Sequence, residues 1–190
     1  MADKNIEIEI KFSLHNPTAV RVRLNKFGRY KGKKREIDTY FIPSHRNFLA
    51  PRYPFEWLRL RERERKYSFD YKHYHPEGAR ITTFCDEYQT PIEDLNSFKK
   101  ILAALDFKKL VVVDKTRETW LIEGVIVTLD KIKSLGWFIE LESEKNFGGI
   151  EKTRDKLFNL LGKIQAKVRE EELRGYPYRL IEKEKSGSKK

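Results

Sequence analysis

Two pairs of glutamates stand at alternate positions in short segments whose other residues are mostly apolar. Glu7 and Glu9 alternate with isoleucines in IEIEIKF, and Glu140 and Glu142 alternate with apolar residues in WFIELES. Strict alternation of this kind is typical of a β-strand, so each pair lies on one face with its carboxylates about 7 Å apart. Like charges at that spacing are unfavourable unless a cation lies between them. Because carboxylate oxygens suit Mg²⁺ or Mn²⁺, the pairs indicate a place for a divalent cation.

Cationic side chains are paired in the same way in the segments between the two glutamate pairs. Arg59 and Arg61 share one face of WLRLRERER, and Lys115 and Arg117 share one face of LVVVDKTRET. The whole chain carries 40 Lys and Arg against 29 Asp and Glu, a net charge of +11. This pattern favours an anionic partner: a nucleic acid, a phosphorylated small molecule or an anionic surface.

The elements that must position these side chains are mostly strands. Alternation predicts strands at 6–12, 33–42, 57–65, 68–75, 81–90, 110–119, 125–130 and 137–143. A period of three to four residues predicts helices at 17–27, 93–105 and 150–161, with a short one near 168–174. The economical interpretation is one α+β domain over residues 1–182, followed by a disordered basic tail over 183–190.

Two arrangements of the strands are compatible with their charges. A half-exposed antiparallel sheet would turn the charged faces to water and the apolar faces to a core. A closed barrel would turn the charged faces into its lumen and cover its apolar exterior with helices. The lumen of such a barrel would hold a polyanion against the cationic strands and a divalent metal against the carboxylates. The clustering of like charges favours the barrel, because a surface sheet usually intersperses the two signs.

Composition excludes several classes of protein. Twelve Phe, nine Tyr and three Trp supply burial that a disordered chain lacks. Cys85 is the single cysteine, which excludes an internal disulfide and a cysteine-based zinc cluster. The sequence has no run of about eighteen apolar residues and no apolar signal core at its start. We therefore expect a cytoplasmic protein with no membrane partner.

The glutamates at 7 and 9 also begin an ordered series of motifs. Glu7-x-Glu9-x-Lys11 is followed by Asp38–Phe41 (DTYF), Leu58–Arg61 (LRLR), Asp114–Arg117 (DKTR), Thr128–Asp130 (TLD), Leu135–Glu142 (LGWFIELE) and Arg174–Tyr176 (RGY). This series resembles the motifs of the CYTH superfamily, the triphosphate tunnel metalloenzymes, which include class IV adenylyl cyclases and thiamine triphosphatases. The first motif is similar to the ExExK signature of that superfamily. The resemblance is closest to the class IV cyclases, through KTRETW, VTLD and LGWFIELE.

The resemblance implies a fold and a set of site residues. The fold would be α+β: an eight-stranded antiparallel closed β-barrel, the triphosphate tunnel, with a polar lumen and helices packed outside. The residues that would bind the triphosphate are Lys11, Arg59, Arg61, Lys72, Lys115 and Arg117. Among them, the resemblance implies catalytic roles for Lys11, Lys115 and Arg117. The cofactor would be Mg²⁺ or Mn²⁺, with its ligands among Glu7, Glu9, Glu140, Glu142, Asp130 and Glu87.

The same lumen would serve more than one activity. The closest resemblance implies an adenylyl cyclase that converts ATP to cyclic AMP and pyrophosphate. One alternative is a triphosphatase acting on inorganic, thiamine or nucleoside triphosphate, and another is a protein that binds triphosphate or polyphosphate without turnover. A nucleic-acid partner is not expected, because the glutamates would repel a polyanion unless metals neutralise them. A homodimer is also compatible with the resemblance.

The chain departs from the family pattern in two strands. Cys85 and Gln89 stand where the family has an arginine and a glutamate, and Tyr71–Tyr74 lacks the glycine and proline of the family's YKGP-like segment.

Overall fold

More of the described residues lie in strands than in helices, as the alternating segments predict. The computed structural model describes residues 6–80, 82–171 and 174–187. The strands within these residues are β1 (Ile6–Glu7), β2 (Glu9–Leu14), β3 (Arg29–Ile42), β4 (Glu56–Arg63), β5 (Lys66–His75), β6 (Phe84–Ile92), β7 (Lys108–Ile122), β8 (Val125–Ile132), β9 (Gly136–Ser143) and β10 (Val168–Glu171). The helices are α1 (Pro17–Phe27), α2 (Leu95–Ala104), α3 (Ile150–Lys163) and α4 (Gly175–Gly187).

All ten strands belong to one antiparallel sheet in the order β1-β6-β5-β4-β3-β7-β8-β9-β2-β10. Only Ile8 separates β1 from β2, yet β1 pairs with β6 and β2 pairs with β9. The N-terminal segment therefore joins two distant parts of the order, with an interruption of the ladder at Ile8. The α+β class is confirmed, and the closed eight-stranded barrel is supported in part. The eight longer strands match it, while its closure depends on this interrupted segment.

Two predicted segments near the C-terminus are corrected by the structure. Residues 168–174 were expected to contain a short helix, but Val168–Glu171 forms β10 against the edge of β2 that β9 leaves open. The edge offers unpaired backbone groups, and pairing with it satisfies those of β10. Helix α4 continues to Gly187, so residues 183–187 of the expected disordered tail are helical. The rest of that tail, 188–190, lies outside the described residues, as do 172 and 173.

The apolar face of the sheet lies outside and is covered by helices. Ile10 of β2, Leu129 of β8 and Leu141 of β9 pack in one buried cluster with Val20 of α1 and Leu157 of α3. The charged residues that alternate with these apolar ones must then point to the opposite, concave side. Of the two arrangements that the sequence allowed, the structure has the one with an inward charged face.

A second apolar cluster lies on the inward side and is covered by α4. Val113 and Lys115 stand two residues apart on β7, and Phe138 and Glu140 stand two residues apart on β9, so both apolar residues share the face of the inward charges. They pack with Tyr176 and other residues of α4. Helix α4 therefore fills one end of the interior, and the charged remainder surrounds a cavity. In the described part of the chain, no helix combines the length and the apolar character needed to cross a membrane.

Candidate active site

One cavity collects the charged side chains that the strands turn inward. Eleven of the twelve residues that the sequence predicts for triphosphate or metal binding line it: Glu7, Glu9, Lys11, Arg59, Arg61, Lys72, Glu87, Lys115, Arg117, Glu140 and Glu142. The twelfth, Asp130, is fully buried and lies behind Arg117. The side chains come from strands far apart in the sequence, and the antiparallel registers bring them together.

Among the residues that the structure describes, the lining of the cavity is electrically balanced when every acid and base is counted as ionised. Its seven basic residues are the six predicted ones and Arg174. Its seven acidic residues are five of the predicted ones together with Asp70 and Glu171. A triphosphate carries several negative charges, so it would unbalance this lining unless cations entered with it.

The four predicted glutamate ligands lie on two paired strands and the short β1. Glu9 is the direct cross-strand partner of Glu142. Glu7 forms an ion pair with Lys72, and Glu9 forms one with Lys11 at 3.1 Å. The hydroxyl of Tyr74 also donates a hydrogen bond to Glu9, at 3.1 Å. Glu7 and Glu9 thus have ammonium groups as their present counterions.

The pKa of Glu142 reflects its burial and the negative charge of the other three glutamates around it. Burial, followed by the negative charges of Glu7, Glu140 and Glu9, raises its pKa from 4.5 to about 8. No cation lies beside Glu142 among the ion pairs of the described residues. A carboxyl group in this environment becomes a carboxylate more readily when a cation is bound nearby.

The donor set of this wall fits a hard divalent cation in its chemistry. All four glutamates supply oxygen ligands, which Mg²⁺ and Mn²⁺ prefer. Among the described residues, however, no three side chains of His, Cys, Asp or Glu converge closely enough to hold an ion. A bound cation would compete with Lys72 for Glu7 and with Lys11 for Glu9.

Arg59 and Arg61, which both lie on β4, are paired with acidic side chains. Arg59 donates to Asp70 at 2.7 Å and to Glu87 at 3.4 Å. Arg61 donates two hydrogen bonds to the carboxylate of Asp38, at 2.7 and 2.9 Å. Burial alone would raise the pKa of Asp38, but the charges of Lys115 and the arginines outweigh it and hold that pKa well below 3.8. Asp38 therefore serves as the shared anionic anchor of this wall.

Lys115 and Arg117 are anchored in the same way. Lys115 is 3% exposed and lies 3.3 Å from Glu36 and 3.4 Å from Asp38. Burial and the neighbouring charge of Arg117 lower the pKa of Lys115. Arg117 donates twice to Asp130, at 2.8 and 2.7 Å, and once to Glu140 at 3.1 Å. Asp130 is thus paired with Arg117 in this structure, and it is buried below the cavity surface at which a metal would bind.

Tyr176 joins helix α4 to the charged wall. Its hydroxyl donates a hydrogen bond to Asp130 at 3.1 Å. The ammonium groups of Lys11 and Lys115 lie 5.0 and 5.6 Å from the centre of its ring, within cation–π range. The ring of Tyr176 packs in the inward apolar cluster and also lines the cavity.

Sequence reasoning missed the roles of the buried acids. Glu36 and Asp70 are each 1% exposed and pair with the arginines and lysine described above. A signal for Glu36 was available, because it stands two residues from Asp38 on β3 and so shares its face. Glu171, from the segment expected to be helical, also lines the cavity.

The family to which the chain belongs is consistent with the charged cavity described above. The CYTH domain family matches residues 5–176, so the chain belongs to it. This family is the triphosphate tunnel metalloenzyme group, which implies a divalent metal.

Individual relatives differ in how much of the chain they match. The chain is 32% identical over 138 residues to a "Putative adenylate cyclase" of Methanocaldococcus jannaschii, which covers 72% of this chain and 76% of that protein. A solved Pyrococcus horikoshii structure has a TM-score of 0.78 and 28% identity, and the match covers 93% of this chain and 99% of that one. A Hippeastrum "Putative adenylyl cyclase" described with a dominant triphosphatase activity is 18% identical, with a TM-score of 0.62 and coverage of 94% and 96%. The last likeness concerns the fold alone.

Proposed function

We propose that this protein is a metal-dependent enzyme that acts on a triphosphate inside the cavity, as an adenylyl cyclase of the class IV kind. It would convert ATP to cyclic AMP and pyrophosphate. The observation that carries the proposal is the convergence of six predicted cations and four predicted glutamates on one lining. A surface designed only for solubility would not bury these charges together.

The six cations would bind the oxygens of the triphosphate: Lys11, Arg59, Arg61, Lys72, Lys115 and Arg117. The planar fork of an arginine can donate to two phosphate oxygens at once. In the cyclase reaction, the 3′-hydroxyl of the ribose attacks the α-phosphorus and loses its proton, and pyrophosphate leaves. Lys11, Lys115 and Arg117 would stabilise the charge that builds up on the phosphate oxygens during this displacement.

The cofactor would be Mg²⁺ or Mn²⁺, held by Glu7, Glu9, Glu140 and Glu142. Glu87 lines the cavity, and Asp130 lies behind Arg117. Both would support these four ligands from positions next to them. A bound divalent ion would neutralise phosphate charge and orient the phosphates. The balanced lining supports this requirement, because the basic residues already have acidic partners. The same seven acids argue against a nucleic-acid polyanion as the partner.

The choice of ATP rests on the motifs KTRETW, VTLD and LGWFIELE, which resemble the class IV cyclases most closely. The M. jannaschii relative named "Putative adenylate cyclase" adds support. The expected homodimer stays a prediction.

Product analysis tests the proposed reaction. Purified protein is incubated with Mg²⁺ or Mn²⁺ and, in separate reactions, ATP, inorganic triphosphate or thiamine triphosphate, and the products are separated by ion-pair chromatography. We expect cyclic AMP and pyrophosphate from ATP, and no turnover by the double variant Glu140→Gln with Glu142→Gln. Orthophosphate without a cyclic product would replace the cyclase assignment with a triphosphatase. Turnover by the double variant would refute the metal assignment.

A further inference from the structure

Arg154 lies outside the cavity, yet three of the groups that it contacts belong to residues that line it. It is carried by α3, whose apolar residues pack on the outer face of the sheet. Its side chain is only 13% exposed. One nitrogen, Nη1, donates to the backbone carbonyls of Glu9 and Thr82, at 3.5 and 3.3 Å. The other, Nη2, donates to both carboxylate oxygens of Glu171, at 3.1 and 3.3 Å.

These contacts join the ends of three segments that are far apart in the sequence. Glu9 begins β2 directly after the interruption of the ladder at Ile8. Thr82 precedes β6, and Glu171 ends the four-residue β10. Strand ends of this kind are among the least stable parts of a fold, because few backbone bonds hold them. A single guanidinium can fix all three, because its donors lie in a rigid plane with five N–H groups.

We propose that Arg154 is a positioning residue for the carboxylate wall of the cavity. It acts from the outer side of the sheet, by holding the backbone of Glu9 and the ends of the two neighbouring segments. The inference rests on the proposed function, in which Glu9 is a metal ligand. Residues that orient a ligand from behind change metal affinity by about 10–100-fold when they are replaced.

Three variants separate this role from general packing. Arg154→Met keeps a long apolar stem and removes all the donors, and Arg154→Lys keeps the charge and removes the fork. The matched control is Lys156→Met, on the same helix, which removes a 2.6 Å ion pair to Glu123 on the β7–β8 turn. Should Arg154→Met fail to fold, Glu171→Gln weakens only the carboxylate contact and replaces it in the series.

Two measurements decide the proposal. Hydrogen–deuterium exchange should become about tenfold faster in peptides containing Glu9, Thr82 and Glu171 in Arg154→Met, and stay unchanged in Lys156→Met. Calorimetry with Mn²⁺ alone should give a dissociation constant about tenfold higher for Arg154→Met, with Arg154→Lys also weakened and Lys156→Met unaffected.

Each other outcome has a definite meaning. Unchanged exchange in Arg154→Met would overturn the proposal, and so would faster exchange with unchanged Mn²⁺ affinity. Wild-type affinity in Arg154→Lys would show that the fork is not required and would also overturn it. If the unmodified protein binds no Mn²⁺, the proposed function itself fails, which differs from failure of the variant alone.

Discussion

At the scale of single residues, every arginine predicted for the cavity is held by a buried acid. Asp38 holds Arg61, Asp70 holds Arg59 and Asp130 holds Arg117, each at 2.7–2.9 Å. Each acid occupies only some of the five donors of its arginine, so other donors remain for a ligand. A guanidinium that is already oriented loses less entropy when an anion binds. The buried acids therefore hold the arginine side chains in fixed orientations, which favours the binding of phosphate.

The first prediction concerns the pair of Arg59 and Asp70. Arg59→Met leaves the carboxylate of Asp70, which is 1% exposed, without its closest cation. We expect this variant to lose about 3–5 kcal/mol of unfolding free energy, because the remaining charge is buried without a partner. Adding Asp70→Leu should restore most of the loss. Urea denaturation of both single variants and the double variant measures the coupling, and simple additivity would contradict it.

The second prediction concerns stability in acid. Burial alone would raise the pKa of Glu36, but the charges of Lys115 and Arg117 outweigh burial and lower it from 4.5 to about 2. The unfolded chain therefore takes up this proton first as the pH falls. The stabilisation is complete above pH 4.5 and is lost between about 4.5 and 2, with a size of about 3 kcal/mol.

Urea denaturation at a series of pH values tests this behaviour. Glu36→Gln should give a flatter decline of unfolding free energy below pH 4.5 than the unmodified chain. The exposed Glu62→Gln, on the neighbouring strand β4, serves as the control and should keep the original profile. Identical profiles for all three proteins would show that Glu36 does not couple to folding.

At the scale of elements, α4 is the helix that links the apolar end of the interior to its charged part. Leu180 and Ile181 are 8% exposed and belong to the inward apolar cluster with Val113 and Phe138. Tyr176, in the first turn of α4, contacts that cluster and Asp130 together. Docking of the helix therefore also sets the position of the acid that holds Arg117.

The third prediction separates the two roles of Tyr176. Tyr176→Phe removes the hydrogen bond to Asp130 and keeps the ring beside Lys11 and Lys115, so we expect a loss of about 1 kcal/mol and near-normal phosphate binding. Tyr176→Ala also removes the ring, and a loss of about 3–5 kcal/mol with weaker binding is expected. Thermal unfolding and calorimetry with tripolyphosphate measure both effects. Equal stability and equal tripolyphosphate affinity of the two variants would show that the ring of Tyr176 does not contribute to the site.

At the scale of the whole molecule, the balanced charge of the cavity contrasts with the net charge of +11 on the chain. The excess of positive charge must therefore lie elsewhere, on the outer surface and in the terminal segments. The overall charge can attract an anion from a distance. The balanced interior then makes its binding depend on cations that arrive with it.

The fourth prediction tests that dependence. Glu140 accepts from Arg117 at 3.1 Å and lies 3.1 Å from the ammonium of Lys11, so it occupies two of the predicted phosphate-binding cations. Glu140→Gln should bind tripolyphosphate more tightly than the unmodified chain in the presence of a chelator, by about tenfold. With Mn²⁺ added, the advantage should disappear, because a ligand of the ion is lost.

Calorimetry with and without Mn²⁺ measures these affinities. Glu123→Gln, on the outer surface, is the matched control and should behave as the unmodified chain in both conditions. Strong metal-free binding by the unmodified chain would contradict the charge argument.

Much of the site was predictable because side chains in a strand alternate strictly between two faces. Alternation along Glu7–Lys11, Arg59–Arg61 and Glu140–Glu142 identifies residues that share a face, whatever the strands pair with. It does not tell which strands are neighbours. Glu171 was missed for that reason, because it reaches the cavity through the pairing of β10 with β2. Asp70 shares a face with Lys72 on β5, but its partner Arg59 lies on the neighbouring strand, which alternation does not identify.

The family, the α+β class and the charged faces of the strands can be predicted from the sequence, because they depend on local periodicity and on motifs in fixed order. The inward direction of these faces follows from the packing of the helices, which cover the apolar side of the sheet. The tertiary structure decided that Asp130 supports Arg117 from behind and that Arg154 reaches Glu9 from 145 residues away. Such contacts join distant parts of the chain, and they follow from the packing of whole elements rather than from the spacing of neighbouring residues.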